Sequence, residues 1–245
     1  MQQMTHLETL TTSAWPALAT ELFDGWVLRF AGGYTKRANS VTPLVASTLP
    51  DEEKIAYCVQ RYAEQGLPAI FKLTAASQNL DDKLAVRGYS QIDLSSVQQR
   101  ELLNFAFEAD SAVRISGQVS DLWFEQFAEL NQVAVVHQTA ARQMLASYVC
   151  PTQFAALYQG EEAIACGFAI IQQHTLVLYD IVSDIQQRRQ GYALRLIKQL
   201  LAWGKNNGAT SAVLQVVVAN DPAMALYAKL GFTEQYRYWY RRQPV

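Results

Sequence analysis

The stretch that most constrains the fold begins with TLVLYDIVS, residues 175–183, an apolar run typical of a buried β-strand. A short polar segment follows, and the chain then takes on a helical pattern in which Leu196, Ile197 and Leu200 share one face. This helix should end near Gly208, since glycine is common just beyond the last turn. A strand that leads into an amphipathic helix predicts a mixed α/β (α+β) fold.

The polar segment places Gly191 at the start of that helix. The first backbone N–H groups of a helix have no partner inside it, and the helix macrodipole attracts anions to the same end. Glycine lets phosphate oxygens approach the amides, Ala193 is also small, and Arg188 and Arg189 add positive charge. The segment therefore predicts a phosphate cradle, although for an isolated match of this kind a solvated loop would be the better interpretation.

Two other phosphate-binding motifs are excluded by the residues themselves. A dinucleotide fold needs G-x-G-x-x-G and an acidic residue on the next strand, but this segment has one glycine, and the next strand carries Gln215. A nucleotide P-loop needs G-K-[ST], which the segment lacks.

Composition limits the partners and the compartment. The formal net charge is -2, so no global field would attract nucleic acid or anionic lipid, and a bound anion must be held locally. The three cysteines, Cys58, Cys150 and Cys166, are far apart, which favours buried thiols over a disulfide framework or a metal site. The amino terminus shows no secretory pattern and the apolar runs are too short to cross a bilayer, so we predict a cytoplasmic protein without a metal.

The two halves of the chain repeat a similar order of strands and helices. In the first half, the patterns predict a short helix and a strand over residues 15–30, a helix at 51–65, a strand at 69–74, a helix at 81–86 and a strand at 90–99. In the second half, they predict helices at 121–130, 139–148, 192–206 and 222–230, and strands at 152–159, 163–172, 175–183, 212–218 and 234–242. We therefore predict a tandem copy, with domains at residues 1–110 and 111–245.

The cradle segment R188-R-Q-G191-Y-A193 resembles the [QR]-x-x-G-x-[GA] signature of the GNAT superfamily of N-acetyltransferases. A strand, Asn220 and ALYAKLGF at 225–232 follow at the spacing of that family, so the resemblance covers residues 112–245. It implies two GNAT-like mixed-sheet domains in tandem, the second intact and the first degenerate. It also implies that the ligand is acetyl-coenzyme A, with its pyrophosphate in the cradle and its pantetheine arm along a bulged strand. The coenzyme residues implied are Ile181, Val182, Ser183, Arg188, Arg189, Gln190, Gly191, Tyr192, Ala193 and Asn220.

The resemblance also implies catalytic roles. Tyr227 matches the tyrosine that protonates the departing thiolate, although a helical tyrosine of this kind also packs commonly on a core. Asn220 fits a contact to the coenzyme arm, and Asn220-Asp221-Pro222 also fits a helix start.

The residue that accepts the proton of the amine is not fixed by the sequence. Val177 and Gln215 stand where family members carry a glutamate, and neither side chain can accept a proton. Asp180, Asp184 and His137 are the remaining candidates, with a water-relayed route as the alternative; we expect His137 to lie in a surface loop.

The first half has the outline without the cradle. Its corresponding loop reads TLPDEEK, and Leu84 stands where the catalytic tyrosine would align. Residues 25–41, GWVLRFAGGYTKRANSV, predict a hairpin with a solvated basic tip; the alternative is that residues of this stretch shape the acceptor pocket or a domain interface. The residues concerned are Arg29, Tyr34, Arg37 and Asn39.

Two functional hypotheses follow. The first is an N-acetyltransferase that moves an acetyl group from acetyl-coenzyme A directly to the amine of a small molecule or peptide. No acyl-enzyme is expected, because Cys166 has no visible activating partner. The second is a sensor or interaction module that binds acetyl-coenzyme A without chemistry.

Overall fold

The computed structural model describes residues 2–103, 106 and 110–244. The helices are α1 Gln2–Ala14, α2 Asp51–Ala63, α3 Gln78–Val86, α4 Asp121–Leu130, α5 Val135–Ala146, α6 Tyr192–Asn206 and α7 Asp221–Lys229. The strands are β1 Ala19–Phe23, β2 Trp26–Phe30, β3 Val41–Pro43, β4 Ile70–Thr74, β5 Ser90–Glu101, β6 Val113–Ser116, β7 Thr152–Gln159, β8 Glu162–Gln172, β9 Thr175–Ser183, β10 Ser211–Val217 and β11 Thr233–Arg242.

The chain forms two compact units that do not follow a single cut in the sequence. The first comprises Met1–Val97, Val216–Asp221 and Glu234–Val245, and the second comprises Gln98–Gln215 and Pro222–Thr233. This division differs from the predicted boundary between residues 110 and 111. The reason is that most of β11, the last strand of the chain, pairs antiparallel with β4 and so belongs to the first unit.

The first unit is built on a mixed sheet whose strands lie in the order β1-β2-β3-β4-β11-β5. Strands β3 and β4 run parallel, with α2 connecting them. The core on this sheet is apolar and aromatic, with Leu28, Tyr62 and Phe71 fully buried. Helix α1 is anchored by a buried ion pair, since Glu8 accepts two hydrogen bonds from the ammonium group of Lys72 at 2.7 and 3.0 Å.

The second unit repeats this plan around the strand order β10-β9-β8-β7-β6. Strands β9 and β10 run parallel with α6 between them, and the other pairs are antiparallel. An aromatic cluster fills the core beneath α4, where the Trp123 ring lies 4.9 Å from those of Phe127 and Phe154. The prediction of two mixed-sheet units in tandem is confirmed.

Most predicted elements are present, two expectations about elements were wrong, and two elements, helix α1 and strand β6, were not predicted. Residues 19–23 form strand β1 rather than part of a helix, because they pair with β2 in a hairpin that turns at Asp24 and Gly25. Strand β6 was not predicted; it is only four residues long. Helix α5 starts at Val135, so His137 lies in the first turn of a helix and is partly buried, not in a surface loop.

The predicted basic hairpin tip in residues 25–41 is only partly solvated. Lys36 and Arg37 are partly exposed, whereas Arg29 and Asn39 are each 4% exposed. The Asn39 side chain accepts hydrogen bonds from the backbone of Ala31 and Gly33 and donates two to the carbonyls of the same turn. The Arg29 guanidinium donates to the Arg37 carbonyl at 2.7 Å. These side chains hold the turn together, because a buried turn must satisfy its own backbone groups.

Two of the three cysteine thiols are buried, as predicted. Cys58 and Cys166 are buried and Cys150 is partly exposed. Burial raises the pKa of Cys58 to about 12 and also raises the pKa of Cys166, which makes both poor nucleophiles. Within the part of the chain that the structure describes, no helix is long and apolar enough to cross a membrane.

Candidate active site

The predicted cradle lies between β9 and α6. After a single helical turn at Ile185–Gln187, the backbone enters the left-handed region at Arg189, with φ 65°, and again at Gly191, with φ 84°. Gly191 is the N-cap of α6 and, because it has no side chain, it cannot cap the first backbone N–H groups of the helix. The first-turn amides of a helix of 15 residues are therefore left without a cap from its own N-cap residue, which is the arrangement that binds anions.

The three arginines around the cradle differ in whether they form an ion pair. Arg188 and Arg189 are exposed, and neither forms an ion pair with any residue that the structure describes. Arg195, one turn into α6, is instead held by Asp110 through contacts of 2.6 and 3.0 Å. Two guanidinium groups thus remain available for a ligand at the start of α6, and the third belongs to the scaffold.

Strands β9 and β10 separate before the cradle is reached. Their parallel register runs from Thr175 opposite Ser211 to Leu178 opposite Leu214. Strand β9 then continues to Ser183 with no further β10 residue in that register. One edge of this backbone can therefore accept another extended chain as a strand would. Ile181, Val182 and Ser183, the residues predicted to hold the coenzyme arm, lie on this segment and are partly buried.

A bulge re-aims β9 at the point of separation. Cys166 pairs with Val182 and Phe168 with Tyr179, so Asp180 and Ile181 together stand opposite Gly167. Asp180 takes the left-handed conformation, with φ 46°, which is uncommon outside glycine. The bulge interrupts the side-chain alternation of β9 at Asp180 and Ile181.

Tyr227 is a largely buried residue of α7. It is 8% exposed, and its ring packs edge-on against Phe232 with the ring centres 5.9 Å apart, so it is part of the core. Burial, with a further contribution from the negative charge of Asp180, raises the pKa of Tyr227 to about 12. The phenol therefore stays protonated at neutral pH and can act as a proton donor.

The structure separates the carboxylates considered as proton acceptors. Asp180 is partly buried and close enough to Tyr227 and Cys166 to raise the pKa of both. Asp184 has a local role, because its side chain accepts a 2.9 Å hydrogen bond from the Gln186 amide and caps the turn before the cradle.

Other predicted residues are placed as follows. Val177 is fully buried and Gln215 is partly buried, and neither is acidic. Gln190 is exposed, whereas Tyr192 and Ala193 are partly buried in the first turn of α6. Asn220 precedes α7, and its backbone N–H donates a hydrogen bond to the Val217 carbonyl at 2.9 Å. It belongs to the first unit.

A cleft of about 900 Å³ borders the end of β9 and the cradle loop. Its walls include Val182, Ser183 and Arg188 from that segment. Residues at the carboxyl end of α4 and in the β7–β8 turn complete it, and they bring three glutamates, Glu129, Glu161 and Glu162. This cleft is large enough for a small ligand.

Sequence reasoning missed two residues of this region. Gly167 has its role only because the bulge lies opposite it, although an isolated glycine inside the strand pattern AIACGFAI is a recognised sign of a bulge. Asp110 precedes the second half and gave no signal, because its partner Arg195 lies far along the chain.

Comparison with known proteins supplies the family. The model of the family described as "Probable histone acetyltransferase Rv0428c C-terminal" matches residues 2–241. The "Uncharacterized N-acetyltransferase YobR" of Bacillus subtilis (strain 168) is 28% identical over 250 residues, covering 98% of this chain and 99% of the relative. An "Aminoglycoside N(6')-acetyltransferase type 1" of Serratia marcescens is 29% identical over 124 residues, covering 44% of this chain and 80% of the relative.

Solved structures agree in fold. A GCN5-related N-acetyltransferase from Kribbella flavida superposes with a TM-score of 0.68 at 13% identity, covering 99% of this chain and 95% of the other. A tandem GNAT protein from the clavulanic acid biosynthesis pathway superposes with a TM-score of 0.62 at 13% identity, covering 84% of this chain and 76% of the other.

Proposed function

Since this chain belongs to the family described as "Probable histone acetyltransferase Rv0428c C-terminal" and is a GNAT-type N-acetyltransferase, we propose that it transfers the acetyl group of acetyl-coenzyme A directly to an amine. The observation that carries the proposal is the start of α6. There, a left-handed glycine and two arginines without ion pairs among the described residues lie beside uncapped helix amides. This is a site for a diphosphate.

The donor would be held from the cradle to the bulge. The pyrophosphate is assigned to the amides that follow Gly191 and to the guanidinium groups of Arg188 and Arg189. The pantetheine arm is assigned to the open edge of β9, whose backbone groups would pair with it as a strand does. The role of Asn220 on the arm stays a prediction from the resemblance.

The transfer itself needs two proton movements. The amine nitrogen attacks the thioester carbon, the C–N bond forms, and the C–S bond breaks. The departing thiolate takes the proton of the Tyr227 hydroxyl, which is available because this group remains protonated at neutral pH. The proton lost by the amine is assigned to Asp180, directly or through water, because the bulge places this carboxylate near Tyr227.

The acceptor is proposed only as a class, the amine of a small molecule or of a peptide. The matching family is described as a probable histone acetyltransferase, and one relative is named as an aminoglycoside acetyltransferase. Histone-like peptides and aminoglycosides are therefore both included in a substrate panel, and neither class is preferred.

Thiol release from acetyl-coenzyme A tests the proposal. The purified chain is incubated with the donor and a panel of aminoglycosides, polyamines and basic peptides, and acetylated product is identified by mass. Acceptor-dependent release is expected, and it should fall when Tyr227 is replaced by Phe. Stabilisation by the coenzyme with no release for any amine would instead support the sensor hypothesis, which the relatives named as N-acetyltransferases do not favour.

A further inference from the structure

The first unit contains a loop that corresponds in topology to the cradle. Strand β3 is parallel to β4, with Val41 opposite Phe71, and α2 connects the two. In the second unit, β9 and β10 are parallel and α6 connects them. The cradle precedes α6, and residues 44–50, here called the α2 loop, precede α2.

An anion already lies against the amides of the α2 loop, and it is a side chain of the same unit. The carboxylate of Asp24 accepts hydrogen bonds from the amide of Leu49 at 2.8 Å and from the amide of Thr48 at 3.0 Å. The Thr48 hydroxyl donates a third, at 2.8 Å. These contacts hold the pKa of Asp24 at about 2, so the group is ionised at neutral pH.

A buried cation completes the surroundings of this carboxylate. The side chain of Lys54, in the first turn of α2, has no exposed surface, and its Nζ lies 3.7 Å from Oδ2 of Asp24. The same Nζ donates to the Asp24 carbonyl at 3.3 Å and lies 3.8 Å from the centre of the Trp26 ring. Two amides, a hydroxyl and a buried ammonium group therefore converge on one carboxylate.

A tight turn that requires glycine at residue 25 places Asp24 beside the α2 loop. Asp24 and Gly25 both have positive φ, at 39° and 80°, and form the β1–β2 hairpin turn. A Cβ on Gly25 would lie 2.6 Å from the carbonyl oxygen of Ala46, and the Gly25 carbonyl accepts hydrogen bonds from Leu44 and Val45. Hydrogen bonds thus join the β1–β2 turn to the α2 loop, and the Asp24 carboxylate faces the amides of Thr48 and Leu49.

We propose that the α2 loop is an anion-binding site whose occupant is the protein's own Asp24 carboxylate. A chain without this carboxylate should bind a small external oxyanion, a carboxylate or a phosphate, in its place. In the native protein the site is filled. The α2 loop then offers no position for a second diphosphate, and we expect one donor per chain; this last consequence rests on the proposed function.

Chemical rescue tests the anion site without using activity. The variant Asp24→Ala should lose thermal stability, because it leaves the Lys54 ammonium buried without its carboxylate. Sodium formate or inorganic phosphate should restore part of the lost Tm in a concentration-dependent way. The control Asp82→Ala removes an exposed carboxylate of the same unit and should show no such response beyond that of the native chain, measured at matched ionic strength.

A second variant separates anion binding from general salt effects. In Asp24→Ala combined with Lys54→Met, the buried charge is gone, and the response to formate should disappear. The proposal is overturned if Asp24→Ala folds and responds to formate no more than Asp82→Ala does. Where Asp24→Ala does not fold, the milder Asp24→Ser takes its place under the same criterion.

Calorimetry on the native chain tests the consequence. One acetyl-coenzyme A per chain is expected, with no binding left after Gly191→Asp. Two equivalents would contradict this consequence, whereas a single equivalent that survives Gly191→Asp would contradict the cradle of the proposed function. Absence of any coenzyme binding would defeat the proposed function alone, and formate rescue would still decide the anion site.

Discussion

Gly167 packs against Ile181 so closely that a Cβ at residue 167 would lie 2.5 Å from the Ile181 Cδ1 atom and 3.1 Å from its Cα. This contact exists because two residues of β9 stand opposite one residue of β8. The absence of a side chain at Gly167 is therefore what permits the bulge, and the bulge sets the direction of Asp180 and of the backbone edge assigned to the coenzyme arm.

The substitution Gly167→Ala should disturb this relationship. A methyl group would displace Ile181, at a cost of about 1–3 kcal/mol in the free energy of unfolding, and would weaken coenzyme binding. The control is Gly117→Ala, whose new Cβ would lie 3.9 Å from its nearest neighbour. Calorimetric Kd values and denaturant unfolding of both variants check this; equal Kd values for Gly167→Ala and the native chain would contradict the assigned arm site.

The substitution Gly191→Ala tests the cradle against a matched glycine. Gly191 and Gly208 have nearly the same conformation, with φ 84° and 87°, and an added Cβ meets nothing within 4 Å at either position. Both variants should therefore lose a similar amount of stability, about 1 kcal/mol. Only Gly191→Ala should raise the Kd for acetyl-coenzyme A, by roughly tenfold or more, because 1.4 kcal/mol of lost binding corresponds to one such factor. A similar Kd for the two variants would locate the diphosphate elsewhere.

The substitution Tyr227→Phe should separate catalysis from binding. The ring contact with Phe232 is retained, so stability and coenzyme Kd should change little, whereas kcat should fall by about 10²-fold or more. Because the pKa of Tyr227 is about 12, the native enzyme should show no loss of kcat from this group up to about pH 10. Tyr158→Phe, which removes a hydroxyl bonded to Gln126, serves as the control. An unchanged kcat would remove Tyr227 from its assigned role.

The substitution Asp180→Asn should act on both proton movements. Loss of the negative charge should lower the pKa of Tyr227 below its native value, which ultraviolet titration of the phenol can follow against Tyr227→Phe. If Asp180 accepts the proton of the amine, kcat should fall and its dependence on pH at the acidic side should change. A lower tyrosine pKa with an unchanged pH–rate profile would leave Asp180 an electrostatic neighbour and no base.

The pKa of Asp24 predicts a stability change in acid. This pKa is about 2 in the folded chain and about 3.9 in an unfolded one, so the stabilisation is complete above about pH 4 and is lost as the pH falls towards 2. Asp24→Asn should be less stable at neutral pH and should lose less stability between pH 4 and pH 2 than the native chain does. Denaturant unfolding across this range measures the difference, and parallel curves for the two proteins would count against the assigned contacts.

Short-range sequence patterns were sufficient to predict much of the secondary structure of the second unit. Leu196, Ile197 and Leu200 could be assigned to one face of α6, and Gly191 to its start, because these features depend on residues within a few positions of one another. The family resemblance rested on the same short segment and on the ALYAKLGF stretch, and it led to the fold that the comparisons support.

Tertiary structure decided what depends on residues far apart in the chain. The return of β11 to β4, the pairing of Arg195 with Asp110 and the hold of Asp24 on the α2 loop each join segments separated by many residues. A sequence pattern shows which side chains prefer burial or a charge partner, but not which partner the folded backbone brings within 3 Å. The buried turn at Asn39 shows the same limit. Its polar residues indicated a solvated tip, and only the folded backbone supplies the carbonyls and amides that the Asn39 side chain binds.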